Sequence, residues 1–325
     1  MTTKLKRRPK PEYPPIDWDG CTEISVGARP LLYALEQCSV AMGVEEVRYY
    51  LRGIFVQYRD LDSLTLTATD GHRLVSGSIG AKKVHGYFNS AIWSDAHVKT
   101  AIKWLKRMGN AVVYVNFGKA VTTLSANGSR TAIAHVDHSY PDWERVVPEF
   151  KHYDDFIHVN RAGLLKAIKE ICTPAKNIRL ADKRINYSAG CLRFTCNNEL
   201  VPDAPARSND GLRLSRLHLS CQHETRVWRT ENYVREFQRG ANRGKKETRT
   251  KWHIAQEDIA SQETRIDCEP LGKPASFGVN PMYLRELIQG KGKQKKIMIA
   301  VQEYSGPIRI DCGDGFTRVL MPMRI

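Results

Sequence analysis

The turn Asp70-Gly71-His72-Arg73 is the first place in the chain where side chains could do chemistry. His72 could act as a general base, with Asp70 orienting its ring. Catalysis of this kind also needs a nucleophile at a defined spacing, and the turn supplies none. The pattern therefore favours a structural or binding role over catalysis.

A metal site is a second possibility, formed by His218, Cys221 and His223 with Cys268 or His253 as a fourth ligand. Their spacing matches no standard zinc pattern, and an alternating strand explains the same residues. Neither usual form of glycine-rich phosphate loop is present, and no carboxylate cluster has the spacing of a metal site. The sequence predicts a protein that is not an enzyme and holds no cofactor.

Residues 21–148 have the pattern of one domain. Helical periodicity follows Arg29-Pro30, and a second helix is predicted to start at a Ser94-Asp95 cap and to stop at Gly109. Alternating apolar residues predict strands after each helix. Residues 1–20, which precede this domain, are basic and proline-rich and are not expected to fold.

Residues 149–325 repeat that order and predict a second domain. Asn160 and Asn280-Pro281 each precede a helical stretch that is followed by strands. A basic insertion at about residues 199–262 interrupts the pattern. Alternation at Leu217, Leu219 and Cys221 favours a strand or hairpin within this insertion.

The net charge of +15 favours a polyanionic partner, most often nucleic acid. A merely soluble basic protein is the alternative. Residues 199–256 contain 12 Lys/Arg and 7 Asp/Glu, so part of the excess lies in the insertion. Eight cysteines without paired spacing favour reduced thiols in the cytoplasm, and the lack of a long apolar run predicts no membrane association.

Five motifs in order resemble those of the beta sliding clamp of bacterial replicative DNA polymerase. They are residues 47–53, 66–75, 140–148, 277–280 and 319–325. The resemblance covers residues 25–200 and 265–325 and concerns the second and third domains of that family. It implies an α+β DNA-clamp fold of two pseudo-symmetric domains, each with two inner helices and outer antiparallel sheets.

The resemblance also implies a cleft that binds short extended segments of partner proteins. Leucine, valine and methionine would make it adaptable, and arginines at its rim would orient a peptide. The implied residues are Leu51, Thr69, Gly71, His72, Arg73, Leu74, Pro141, Arg145, Val146, Val319, Met321, Pro322, Met323 and Arg324. Tyr304-Ser305 departs from the small aliphatic residue usual in the family, which leaves the preferred partner open.

A ring that slides must hold DNA phosphates through mobile Lys and Arg side chains without reading bases. Arg48, Tyr49 and Tyr50 combine charge with stacking surface, and Arg52 adds another charge. The candidates on or beside the helices are Lys99, Lys103, Lys106, Arg107, Arg161, Lys166, Lys169, Arg285, Lys291 and Lys293. Ordinary solvated helix faces would have the same pattern, and Tyr50 could instead pack in the core.

The function implied by the resemblance is that of a DNA polymerase processivity factor that encircles double-stranded DNA without sequence specificity. Its partners would be a DNA polymerase and a clamp-loader ATPase. Rings of the family contain about six such domains, so two domains per chain imply a head-to-tail homotrimer. Two alternatives are a non-encircling clamp-like adaptor or inhibitor of host replication proteins, and a DNA-binding protein dominated by its basic insertion.

Overall fold

The computed structural model of the chain describes residues 22–59, 62–86, 90–153, 155–172, 176–179, 183–200, 215–236, 246–271, 275–290, 294–302 and 306–323. These residues contain four α-helices and 17 strands. They form two compact units that divide between Trp143 and Glu144. None of the helices in this part of the chain is both long enough and apolar enough to span a bilayer.

The first unit contains helices α1 (Ala28–Ser39) and α2 (Asp95–Met108). Its strands are β1 (Thr22–Gly27), β2 (Gly53–Arg59), β3 (Ser63–Thr69), β4 (Arg73–His85), β5 (Ser90–Ser94), β6 (Val112–Phe117), β7 (Val121–Ala126) and β8 (Ser129–Ala134). They pair antiparallel in the order β5–β2–β3–β4–β1–β6–β7–β8. An isolated bridge between Trp93 and His135 connects the two ends of this order.

The core of the first unit follows from two periodicities. Alternate residues of β1 are buried, which is the period of a strand with one face covered. On α1 the buried residues include Leu31, Leu35 and Cys38, spaced by three and four as one helix face requires. Trp93 is fully buried, and its indole N–H donates to Thr122 Oγ1 at 2.9 Å, so its polar atom is satisfied in the core.

The second unit contains helices α3 (Arg161–Ile171) and α4 (Pro281–Ile288). Its strands are β9 (Asp155–Asn160), β10 (Lys176–Arg179), β11 (Lys183–Leu200), β12 (Ser215–Glu236), β13 (Lys246–Leu271), β14 (Ala275–Val279), β15 (Lys296–Val301), β16 (Ile308–Asp311) and β17 (Phe316–Leu320). The antiparallel order is β14–β11–β12–β13–β9–β15–β16–β17. A bridge between Gly278 and Met323 connects the ends.

The second unit therefore repeats the strand order of the first. Helix α3 follows β9 as α1 follows β1, and α4 follows β14 as α2 follows β5. Strand β10 is additional and pairs with the first part of β11. The predicted α+β architecture, in which one helix-and-strand order occurs twice, is confirmed.

The helices of the two units begin differently. Asn160 Oδ1 accepts from the Gly163 N–H at 2.9 Å, and Asn280 Oδ1 accepts from the N–H groups of Met282 and Tyr283. Both asparagines are therefore side-chain caps of the kind that stabilises a helix N-terminus. Ser94 and Gly109 occupy the predicted N-cap and C-cap positions of α2, but the Ser94 hydroxyl bonds His97 Nδ1 at 2.8 Å and not a backbone N–H.

Candidate functional site

The Asp70 turn is closed by its own side chains. Asp70 Oδ1 accepts from the N–H groups of His72 and Arg73 at 2.9 and 3.0 Å, and Oδ2 accepts from Arg73 Nε at 3.0 Å. Gly71 has φ of +88°, a conformation that favours glycine. Because both Asp70 oxygens are engaged within the turn, the carboxylate holds the backbone in place, and a role as partner of a catalytic His72 is not favoured.

Thr69 fixes the entrance to this turn. Its hydroxyl donates to the Arg73 carbonyl at 2.7 Å and accepts from the Gly71 N–H at 3.1 Å. Its own N–H donates to the phenol oxygen of Tyr140 at 3.0 Å. The Tyr140 ring stacks on Phe55 with centroids 4.7 Å apart, and burial raises the pKa of the phenol. The turn is thus stabilised by contacts with Tyr140 as well as by the bonds of its own side chains.

The predicted cleft residues differ in burial. Leu51, Leu74 and Val319 are at most 5% exposed, and Arg73 is also buried. Those that reach solvent more fully are Gly71, His72, Pro141, Arg145, Val146, Met321 and Met323, whereas Thr69 and Pro322 are half-buried. Within each unit, only the exposed residues are accessible to a partner. Arg324 and the departure at Tyr304-Ser305 lie outside the described residues.

Several of the predicted cleft residues belong to the second unit. Arg145 and Val146 lie in a single 3₁₀ turn, and Arg309 of β16 donates to the nearby carbonyl of Pro148 at 3.1 Å. Met321 and Met323 follow β17 and are about two-fifths exposed. Exposed methionine and valine side chains are apolar groups of the kind that accept peptides.

The predicted DNA-binding loop of the first unit is an aromatic cluster. Tyr50 stacks on His138 with ring centroids 4.6 Å apart, and Tyr49 meets the same ring edge-on at 5.5 Å. Tyr50 is half-buried in this stack, whereas Tyr49 is exposed. Arg48 pairs with Glu45 at 2.8 Å, and Arg52 lies 3.6 Å from Asp95. The loop therefore presents one exposed ring and two partly neutralised arginines.

The four predicted cations of α2 are all exposed. Lys99 lies 3.7 Å from Asp95, and Lys106 lies 3.0 Å from Glu36 on α1. For Lys103 and Arg107, no ion pair occurs within the part of the chain that the structure describes. Exposed pairs of this type contribute about 0–1 kcal/mol, so these side chains can exchange their carboxylates for phosphates.

The second unit places its predicted cations unequally. Lys166 and Lys169 of α3 are exposed, and Arg285 of α4 is half-buried. Arg161 does not fit the prediction, because it is only 8% exposed and donates through Nε to the Ile288 carbonyl at 2.6 Å. It links α3 to the end of α4 and is not available to a phosphate. Lys291 and Lys293 lie outside the described residues.

Strand β12 separates the residues of the metal alternative. His218 lies 3.2 Å from Glu263. His223, five residues further along the strand, is buried, and its ring bonds the Ile171 carbonyl. Cys221 is buried on the side of His223, opposite to His218. No group of three metal-ligating side chains converges among the described residues.

The comparisons with known proteins agree with this geometry. Residues 26–142 match the sequence profile of the DNA polymerase III beta subunit, central domain. Beta sliding clamps from Proteus mirabilis and Vibrio cholerae are 25% and 26% identical to the chain over 196 and 197 residues. Over this part of its length the chain is similar to the bacterial beta sliding clamp family. The alignments cover 60% of this chain but 52% of each clamp, so it spans about half the length of these relatives.

Solved sliding clamps have the same fold. The structure superposes on the beta sliding clamp of C. crescentus with a TM-score of 0.67 at 17% identity, covering 97% of this chain and 68% of that one. A sliding clamp from Bartonella birtlesii gives the same TM-score at 21% identity and the same coverage. At these identities the likeness concerns the fold, and the predicted DNA-clamp fold is confirmed.

Two residues that contact the predicted site residues were not assigned to the site from the sequence. His138 stacks against the tyrosines of the loop, and Tyr140 bonds the Asp70 turn. Tyr140 begins the 140–148 motif that carries the resemblance, and His138 lies two residues before that motif. Aromatic residues beside a proline were a signal, but which rings and N–H groups they meet depends on contacts 70 or more residues away in sequence.

Proposed function

We propose that the chain is a sliding clamp, a processivity factor that tethers a DNA polymerase to duplex DNA and catalyses no reaction itself. The observation that carries this proposal is the repetition of one strand and helix order in both units of a clamp-fold protein. A repeated unit is what closed rings are assembled from. The free cysteines among the described residues agree with a cytoplasmic location, which we include in the proposal.

The contacts to DNA in this proposal are phosphate contacts by exposed cations on the helices, supplemented by the loop at Tyr49. Lys99, Lys103, Lys106 and Arg107 supply them in the first unit, and Lys166, Lys169 and Arg285 in the second, with Lys291 and Lys293 as further candidates. Weak pairs with Asp95, Glu36 and Glu170 keep these side chains mobile. Mobile, unselective contacts allow a protein to move along a duplex without reading it.

Partner proteins are proposed to bind the exposed members of the predicted cleft. His72 and Pro141 belong to the first unit, and Val146, Met321 and Met323 belong to the second. The polymerase and a clamp-loader ATPase are the proposed partners. An extended peptide with apolar side chains suits such a surface, because methionines adapt to different shapes and arginines such as Arg145 can orient the peptide backbone or its acidic residues.

Three copies are proposed to close a ring head to tail, since rings of the family contain about six domains. The test is the mass of purified protein at micromolar concentration and above, combined with electron-microscope images of the particles. Clamp closure predicts particles of three times the 36.9 kDa chain mass with a central hole. Monomers alone at these concentrations would instead support the non-encircling adaptor.

A further inference from the structure

The hairpin of β12 and β13 extends far beyond the rest of its sheet. The two strands pair continuously from Ser215–Cys268 to Glu236–Lys246. The neighbouring strand β11 pairs with β12 only as far as Arg229. Seven further residue pairs follow the Arg229–His253 pair, so a two-stranded ribbon continues for about 23 Å at roughly 3.3 Å per residue. We call Arg229–Glu236 together with Lys246–His253 the distal arm.

The distal arm has no counterpart in the first unit. Strands β3 and β4 hold the same places in the strand order as β12 and β13, but their hairpin ends after seven residue pairs at Thr69–Leu74. The clamp fold is complete in the first unit with that short hairpin. The additional length in the second unit is therefore not needed to complete the fold, and a binding role is the simplest reason for it.

Packing does not hold the distal arm. Val234 is 62% exposed, and Tyr233 next to it is 39% exposed. The cross-strand bond from Thr250 Oγ1 to Asn232 Oδ1 lies on the surface. A two-stranded ribbon without an apolar core is marginally stable by itself, so a ligand that lies along it would stabilise it.

One face of the distal arm carries most of its charged residues. Residues directly opposite each other in the ladder lie on the same face. On this face, which we call the charged face, the described side chains are Arg229, Glu231, Tyr233, Glu247, Arg249, Lys251 and His253. The other face carries the Glu236–Lys246 pair at its far end, and its six remaining positions have no formal charge: Thr230, Asn232, Val234, Thr248, Thr250 and Trp252.

The cations of the charged face are available for exchange. Lys251 lies 3.7 Å from Glu231 and 5.6 Å from the centre of the Tyr233 ring, with the lysine and glutamate both 57% exposed. Arg249 pairs with Glu247 at 3.0 Å, again in solvent. Arg229 has no ion pair among the described residues. Exposed pairs contribute about 0–1 kcal/mol, so phosphates can replace the two carboxylates.

The sign of charge changes along the hairpin. Residues 254–267, near the body of the unit, contain four Asp/Glu and one Lys/Arg. Residues 226–236 and 246–251, further along the ladder, contain six Lys/Arg and three Asp/Glu. The positive charge therefore lies at the far end, which is the part that reaches furthest from the sheet. The basic far end favours a polyanion as its ligand. The acidic part near the body would repel such a ligand, so we expect binding at the far end.

We propose that the charged face of the distal arm binds the phosphate backbone of duplex DNA in a groove, as a contact separate from the helices. A major groove admits a two-stranded β-ribbon, which fits the width of this element. Arg229, Arg249 and Lys251 contact phosphates, and Tyr233 supports Lys251. The contact does not depend on ring closure, so it operates before or during loading as well as on a closed ring.

The first test measures binding of a fluorescently labelled linear duplex of about 20 base pairs, because a closed ring slides off so short a linear molecule. The triple variant R229Q/R249Q/K251Q is compared with K82Q/K83Q/K119Q, which removes three exposed cations from the first unit. We expect about a tenfold loss of affinity at low salt for the arm variant and a salt slope lower by about 2–3. The control is expected to stay within about twofold.

A variant that is expected to bind DNA more tightly excludes misfolding as the explanation of weaker binding. Glu231→Gln removes a carboxylate from the charged face, and we expect it to strengthen duplex binding severalfold. Equal losses in the arm and control triples, or no effect of Glu231→Gln, would overturn the proposal. So would equal or tighter binding of a single strand of the same length, or of polyglutamate, because a groove contact requires a duplex.

This proposal and that of the clamp fail separately. If the arm variant loses short-duplex binding but still forms trimers, the result supports DNA binding by the distal arm and does not count against ring formation. Unchanged short-duplex binding in a protein that forms trimers overturns the distal arm alone.

Discussion

The β3–β4 hairpin of the first unit and the β12–β13 hairpin of the second hold the same place in one strand order but end differently. The first ends in a turn closed by Asp70 with three hydrogen bonds. The second continues as a ribbon held by its backbone ladder and exposed side chains. The same position in the strand order therefore ends in a tight, hydrogen-bonded turn in one unit and in an extended two-stranded ribbon in the other. The four predictions below test this contrast, from the largest expected effect to the smallest.

Removing the Asp70 carboxylate should cost the most. Asp70→Ala deletes both backbone bonds and the ion pair between Asp70 and the buried Arg73 guanidinium. We expect the free energy of unfolding to fall by about 2–4 kcal/mol, measured by urea denaturation. Asp137→Ala, an exposed acid of the same unit, serves as the control and should change it by less than about 0.5 kcal/mol. Equal effects of the two variants would mean that the turn is not held as described.

Gly71→Ala should have the next largest effect. The φ of +88° disfavours any side chain, and a Cβ would lie 2.7 Å from Arg48 Nη1. Arg48 is flexible and can move, so the backbone conformation dominates, at about 1–2 kcal/mol. Gly80→Ala on β4 is the matched control, since a Cβ there meets nothing within 4 Å. Thermal unfolding of both variants checks this, and a Gly80 variant as unstable as the Gly71 variant would contradict it.

The helix caps extend the comparison of the two units. Asn160→Ala removes a bond to the first turn of α3 and should cost about 1 kcal/mol of stability. Ser94→Ala should cost less than about half of that, because its hydroxyl bonds His97 and no helical N–H. Urea denaturation of the two variants measures the difference. A larger loss for the serine variant would show that the hydroxyl caps α2 in solution.

Shortening the distal arm should change stability least. Replacing residues 229–253 with Asn-Gly joins Trp228 to Ile254, which already face each other in the ladder, through a common two-residue turn. We expect the free energy of unfolding to change by less than about 0.5 kcal/mol, because few apolar contacts are lost. A larger loss would mean that the arm supports the sheet and does not simply extend from it.

The sequence predicted the short hairpin better than the long one for a physical reason. Asp70-Gly71 is a local turn signal, and its bonds connect residues two or three apart. The ladder of β12 and β13 connects residues up to 53 apart, such as Ser215 and Cys268, and its distal arm lacks the apolar alternation that marks a half-buried strand. A strand or hairpin could be expected there, but its length and charged face could not.

The candidate site was predictable in part for the same reason. The helix faces that carry Lys99, Lys103 and Lys106 follow from local periodicity, and the structure places all three in solvent. Arg161 has the same local pattern but is buried, because its partner is the Ile288 carbonyl, 127 residues away. The tyrosine stack on His138 also depends on a distant contact, because Tyr50 and His138 are 88 residues apart. Packing between elements that are distant in sequence therefore decides which cations face solvent, and local sequence patterns do not show this packing.

The central claim is that the chain works by enclosing duplex DNA, and retention on circular DNA tests it most directly. The protein is placed on a nicked circle by a clamp loader with ATP, separated by gel filtration at a salt concentration that removes surface contacts, and then followed after one cut by a restriction enzyme. We expect it to remain on the circle and to leave once the DNA is linear. Equal retention on circular and linear DNA, or no retention on either with a loader that is active on its own clamp, would contradict enclosure.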